Sequence, residues 1–280
     1  MNTRPILVGY DGSDSATAAV DWALAQGLRT AAPVQLVHAF EWPMLPALPS
    51  VPQFWPDEIR QKAEQMVQDA AADAMRSCPG VDVTATVVDG PPAAVLREQS
   101  RSASVVVLGN RGHGAVAQLF IGSTSLAVAM HGHCPVVVVR GDRPPTDAPV
   151  IVGVDGSPCS LVALRYAVEQ AVARSVPLQA VRVWAPPSRP PAALDQQTAL
   201  WAEKTALEET LKQWRRSFPT LLASARAVTG SPGRILVEAS RDAQLVVVGS
   251  RGLGGFRGLL LGSVSQQLLL HSHCPVAVIR

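Results

Sequence analysis

The chain has 280 residues, a formal net charge of +2, 48% hydrophobic residues and 16% charged ones. That balance supports sizeable buried cores and excludes a disordered chain, while the small charge excludes a broad nucleic-acid-binding surface. Lys62, Lys204 and Lys212 are the only lysines, so the basic charge is nearly all arginine. No apolar run reaches the length needed to span a bilayer, and Met1-Asn2-Thr3-Arg4 leads into a strand without a signal-peptide pattern. A cytoplasmic location is expected, and the four cysteines, none in a C-x-x-C, read as free thiols.

Pro5 to Tyr10 is a short apolar strand that ends in Asp11-Gly12-Ser13. Ser13 caps a helix whose apolar face includes Ala16, Ala19, Val20, Ala23 and Leu24. A strand follows over Val34 to Phe40, then a proline-rich loop from Trp42 to Pro56 whose Phe54 and Trp55 are expected to cover a core edge. Trp22, Trp42 and Trp55 are expected in a core or an interface. A helix from about Asp57 to Arg76 leads to a strand over Val83 to Val88, and Asp89-Gly90-Pro91-Pro92 opens a short helix with proline in its first turn. Val105 to Leu108 is a continuous β-branched and leucine run, as in a parallel strand buried on both faces. It runs into Gly109-Asn110-Arg111-Gly112, nine further residues, and Gly122-Ser123-Thr124-Ser125, where an apolar helical pattern begins. A last strand covers Pro135 to Arg140.

Gly141 to Asp147 has linker composition, which divides the chain into domains 1–146 and 147–280. The second half repeats the first. Val150 to Ser157 matches the opening strand and turn, with Gly153 for Gly9 and Asp155 for Asp11. Leu178 to Trp184 matches Val34 to Phe40, Asp195 to Arg216 is the long helix, Ala223 to Val228 a strand, and Gly230-Ser231-Pro232 a helix start. Leu245 to Val248 runs into Gly249-Ser250-Arg251-Gly252, nine residues, and Gly262-Ser263-Val264-Ser265. The second half is four residues shorter in or near the segment matching Trp42 to Pro56.

Each half therefore reads β-α-β-α-β-α-β-α-β: a doubly wound parallel five-stranded sheet with helices on both faces and its ligand site beyond the carboxyl ends of the strands. Glycines in the repeated loop permit φ > 0 and a close approach of ligand to backbone, and a serine at a helix N-terminus suits phosphate. His131-x-His133-Cys134 and His271-x-His273-Cys274 are not read as metal sites, because side chains two apart at a helix end diverge and no further ligand is evident.

The doubled G-x-x-G, nine residues, G-S pattern resembles the ATP-binding signature of the universal stress protein family. The resemblance extends to the Gly-x-Asp-Gly-Ser turns and the His-Cys-Pro-Val approach to both last strands, and it covers essentially the whole chain twice, as in tandem-domain members of actinobacteria. It implies a Rossmann-like sheet of order 3-2-1-4-5 and one adenine nucleotide per domain: ATP, with or without Mg²⁺. By position it implies that Asp11 and Asp155 meet the adenosine, that Ala39 and Val183 line the adenine pocket, and that Gly109, Gly112, Gly249 and Gly252 approach ribose and phosphate. It places Gly122, Ser123, Thr124 and Ser125, and their counterparts Gly262, Ser263, Val264 and Ser265, at the phosphates beside Arg111 and Arg251. The family also implies a homodimer through the last strands and a stress-response regulator. The loops offer glycine amides, serine hydroxyls and arginines but no general base, so at most slow ATP hydrolysis is expected. This sequence departs from it at Arg182, where the first half has His38, and at Arg257, opposite Ala117.

Other classes fit less well. No G-K-[ST] brings a lysine to the β/γ-phosphates of a P-loop enzyme, and the first turn lacks the G-x-G-x-x-G of a dinucleotide dehydrogenase. A slow ATPase or adenylating enzyme on the same fold, and a duplicated interaction module without ligand, remain the alternatives.

Overall fold

A computed structural model of the chain describes residues 4–42, 55–112, 121–141, 145–185, 195–254 and 260–280. It divides into two compact units, Met1–Val139 and Arg140–Arg280. In the first unit the order is β1 (Ile6–Gly9), α1 (Asp14–Thr30), β2 (Val34–Phe40), α2 (Trp55–Ser77), β3 (Val83–Asp89), α3 (Pro92–Gln99), β4 (Val105–Gly109), α4 (Ser123–His131) and β5 (Val136–Val139). The second unit repeats it as β6 (Val150–Gly153), α5 (Pro158–Arg174), β7 (Leu178–Trp184), α6 (Gln196–Ser217), β8 (Ala223–Thr229), α7 (Pro232–Ala239), β9 (Leu245–Gly249), α8 (Ser263–His271) and β10 (Val276–Ile279), with a 3₁₀ turn at Ser240–Asp242 after α7.

Every strand pair within each unit is parallel. The first unit runs β3-β2-β1-β4-β5, with Ile6 level with both Val34 and Val105. The second runs β8-β7-β6-β9-β10, with Val150 level with Leu178 and Leu245. This is the 3-2-1-4-5 order expected for each half. The central strands are buried along nearly their whole length, which is why their sequences are continuous valine and leucine rather than alternating.

Both first helices start as read. Ser13 Oγ accepts the Ala16 N–H and Ser157 Oγ the Ser160 N–H, each at 3.2 Å, with Pro158 at the first helical position. The α1 residues buried against the sheet include the whole apolar face expected for it. The second helix, however, starts at Trp55 rather than Asp57. Pro56 falls in its first turn, where its missing N–H has no intrahelical partner to lose. Phe54 and most of the proline-rich loop lie outside the described residues. Trp42 is 44% exposed and meets the Phe40 ring edge-on at 5.1 Å, so it caps the end of β2 rather than entering the core.

Candidate functional site

The second unit carries a cavity of about 490 Å³ at the carboxyl ends of β6, β7 and β9. Val181 and Val183 of β7, Val248 of β9, and Pro232 and Leu236 of α7 form its apolar wall. Polar groups supply the rim. Gly153 leads to the Asp155 turn on one side, the loop from Gly249 through Arg251 and Gly252 lies opposite, and Gly262, Ser263, Val264 and Ser265 bring the start of α8. The fold thus gathers all ten second-half site residues around one cavity. Val181, Pro232 and Leu236 were not singled out from the sequence. Val181 is legible as the residue two before Val183, on the same side of the strand, and Leu236 lies one helical turn from Pro232.

Asp155 organises this rim. Its Oδ1 accepts the Ser157 N–H at 2.9 Å and its Oδ2 the Leu253 N–H at 2.9 Å, which ties the first turn to the glycine loop. Burial works to raise its carboxyl, but hydrogen bonds from Ser157, Leu253 and Ser160 outweigh that and hold it below the usual 3.8. In the first unit Asp11 Oδ1 accepts the Ser13 N–H at 3.0 Å and the Ser13 hydroxyl at 2.6 Å.

The φ > 0 expected of the loop glycines is not found. Of the glycines in the first-strand turns and the repeated loops, positive φ falls at Gly12 (84°) and Gly156 (88°), not at Gly109, Gly112, Gly249 or Gly252. Those four make room for the protein itself. A Cβ on Gly109 would lie 2.6 Å from the Ser15 carbonyl carbon, and one on Gly249 2.9 Å from that of Cys159, so the ends of β4 and β9 abut the first turns of α1 and α5. A Cβ on Gly112 or Gly252 would lie 2.4 Å from Asp11 Oδ2 or Asp155 Oδ2. The loops are packed on the aspartates they face.

Ser123 and Ser263 are exposed at the first helical positions of α4 and α8, after the N-cap residues Gly122 and Gly262, where first-turn N–H groups have no intrahelical acceptor. Ser125 and Ser265 are buried. Each has one hydroxyl proton, donated to the Gly109 carbonyl at 2.7 Å and the Gly249 carbonyl at 2.8 Å respectively. These two serines brace the helix against the strand end. Thr124 and Val264 are half-buried, as is Ala39 on β2.

Arg251 is exposed on the rim, and sequence reasoning missed its neighbour Arg280. Burial, then repulsion from Arg251, lowers the Arg280 guanidinium from its usual value. The two cations share one region of the second unit. Arg111, its counterpart in the first unit, is half-buried. Arg182, where the sequence departs from the family, is not among the residues lining the cavity. Arg182 ion-pairs with Glu203 of α6, while His38 Nδ1 sits 2.8 Å from the Tyr10 carbonyl, which can only accept. Ala117 and Arg257 fall outside the described residues. Among the described residues no group of three or more His, Cys, Asp or Glu side chains is placed to hold a metal, and no helix is long and apolar enough to cross a membrane.

Comparison with known proteins matches residues 2–140 and 148–280 separately to the universal stress protein family. A universal stress protein of Mycolicibacterium smegmatis is 36% identical over 288 aligned residues, covering 98% of this chain and 96% of the relative. One from Mycobacterium tuberculosis is 35% identical over 293, with the same coverage. Among solved structures, a universal stress protein from Archaeoglobus fulgidus superposes with a TM-score of 0.74 at 19% identity, covering 99% of this chain and 98% of that one, a likeness of fold. Two family matches that between them span nearly the whole sequence, and relatives aligned almost end to end, place this chain in the universal stress protein family.

Proposed function

We propose that each half binds one adenine nucleotide, ATP foremost, and that the protein acts as a stress-response regulator through its nucleotide-bound state. One observation carries this reading: the second-unit cavity joins an apolar wall to a rim of main-chain amides, serine hydroxyls and an arginine at a helix N-terminus. Its volume falls within the range of about 300–1,000 Å³ found for small-molecule sites. A base would rest against Val181, Val183 and Leu236. Phosphate oxygens would take the amides at Gly262 and Ser263, the Ser263 hydroxyl and the Arg251 guanidinium.

ATP would supply a polyanion and a transferable phosphoryl group; the residues of this chain bind and orient it. Asp155 is the one carboxylate among the described lining residues, and both its oxygens already accept backbone N–H groups. Nothing else in that lining is suited to activate a water. Turnover is therefore expected orders of magnitude below the roughly 1–10³ per second of typical enzymes, and Mg²⁺ would reach Asp155 only through water.

Mass spectrometry of ligand released from purified protein should show an adenine nucleotide, and equilibrium titration should give two ATP sites per chain. No binding, or a strong preference for GTP, would defeat the reading. Multiple turnovers per second with Mg²⁺, abolished by Asp11→Ala or Asp155→Ala, would make the protein an enzyme instead. A cytoplasmic homodimer through the last strands belongs to the same proposal, and residues 1–146 remaining monomeric at high concentration would count against it.

A further inference from the structure

The two glycine loops are fastened to their units by different atoms. In the first unit Ser15, in the first turn of α1, holds the start of the loop from both sides. Its hydroxyl donates to the Arg111 carbonyl at 2.8 Å and accepts the Arg111 N–H at 3.1 Å, with Asn110 Oδ1 at 3.2 Å. The bare Cα of Gly109 admits this contact, since a Cβ there would lie 2.1 Å from Ser15 Oγ.

At the matching position the second unit has Cys159. A thiol is a weak donor and a weak acceptor, and among the described residues the Cys159 sulfur makes no hydrogen bond to the loop. What reaches Arg251 is Ser157 Oγ, 3.5 Å from its carbonyl and at the limit of a hydrogen bond. Past its start the second loop is also held by Asp155, whose Oδ2 accepts the Leu253 N–H at 2.9 Å, and the Ser265 hydroxyl lies 3.4 Å from the Ser250 carbonyl. The remaining fastenings at the strand ends are alike. The Gly122 N–H donates to the Asn110 carbonyl at 2.8 Å and the Gly262 N–H to the Ser250 carbonyl at 2.7 Å. Ser125 and Ser265 brace both strand ends in the same way.

We infer that Ser15 is a positioning residue that pre-forms the first nucleotide site, and that Cys159 leaves the start of the second loop to be ordered by its ligand. The two sites then differ in affinity in a fixed order, the first being tighter. This rests on the nucleotide-binding reading above. A loop that is already held loses less freedom on binding, and an apparent affinity falls with the fraction of molecules in the competent form. Two hydrogen bonds of ordinary net strength set the ratio at about tenfold.

The test uses the full-length protein and ATP, with hydrogen exchange of the two loop segments read separately by mass spectrometry. Each segment yields its own dissociation constant. In the wild type, the segment containing Arg111 should saturate at about tenfold lower ATP than the one containing Arg251. Ser15→Cys should weaken the first site by about that factor and speed exchange at Arg111 without nucleotide, while Cys159→Ser should tighten the second site and slow exchange at Arg251. Cys159→Ser replaces the sulfur with a smaller oxygen and carries the test alone should Ser15→Cys fail to fold. Equal affinities in the wild type, or a reciprocal exchange of the two residues that moves neither constant, overturns the inference while nucleotide binding stands. Saturating ATP that protects neither loop overturns the nucleotide reading. In that event equal exchange at Arg111 and Arg251 in the nucleotide-free protein overturns the difference in loop ordering as well.

Discussion

Asp155→Asn tests the role given to that carboxylate at the rim. The aspartate uses one oxygen for the Ser157 N–H and the other for the Leu253 N–H, both at 2.9 Å. Asparagine keeps one acceptor and turns an NH₂ toward the second donor. A hydrogen bond to a charged acceptor contributes about 1.5–3 kcal/mol. Leu253 is 71% exposed, so water takes over part of that bond and the loss is discounted to about 1–2 kcal/mol. For a domain of this size the thermal midpoint should fall by about 2–8 °C at pH 7, read by circular dichroism. The sign with pH follows from the depressed carboxyl. Its contribution is whole above the usual 3.8 and is lost only as pH falls through the lower folded value. Wild type and variant should therefore stay separated from pH 7 down to about 4 and converge in stronger acid. Equal midpoints at pH 7, or a gap that closes between pH 7 and 5, would refute the assignment.

Three further outcomes are expected. Gly109→Ala should destabilise by about 1–3 kcal/mol in urea titration, and by more than Gly249→Ala, because its Cβ meets backbone at 2.6 Å rather than 2.9 Å; the reverse order would contradict the packing described. Ser157→Ala should cost about 1 kcal/mol through loss of the α5 cap, measured by the same titration, and no loss would show that Asp155 alone holds the turn. Burial pushes the Cys134 thiol up to about 11 and the Cys274 thiol up to about 12. Iodoacetamide at pH 8 should therefore label half-buried Cys78 and Cys159 well before either of them, as peptide mass spectrometry would show.

Several elements were legible because one local rule governed each. The valine runs at Val105 and Leu245 could only be strands covered on both sides. Ser13 and Ser157-Pro158 marked helix starts through cap chemistry that needs no tertiary partner. The spacing from Gly109 to Gly122 recurred from Gly249 to Gly262, which made a duplicated loop visible without structure. The start of α2 was less legible: the proline-rich run points to a loop through Pro56, whereas the helix begins at Trp55 and carries that proline in its first turn.

By itself, then, the sequence determined the two-fold repeat, the alternation of strand and helix, and the turns and glycine loops at which a site could form. These depend on periodicity and on residues near one another in the chain. Tertiary structure alone decided what those residues do once strands distant in sequence lie side by side. It spent the glycines on contacts with Ser15, Cys159 and the two aspartates, and it gave the Ser125 and Ser265 protons to strand carbonyls. It also brought Pro232 and Leu236 to the cavity wall. A sequence pattern records that a small or polar residue is needed, whereas the partner that needs it, often about a hundred residues away, is set by which strands pair and which helix turn packs against their ends.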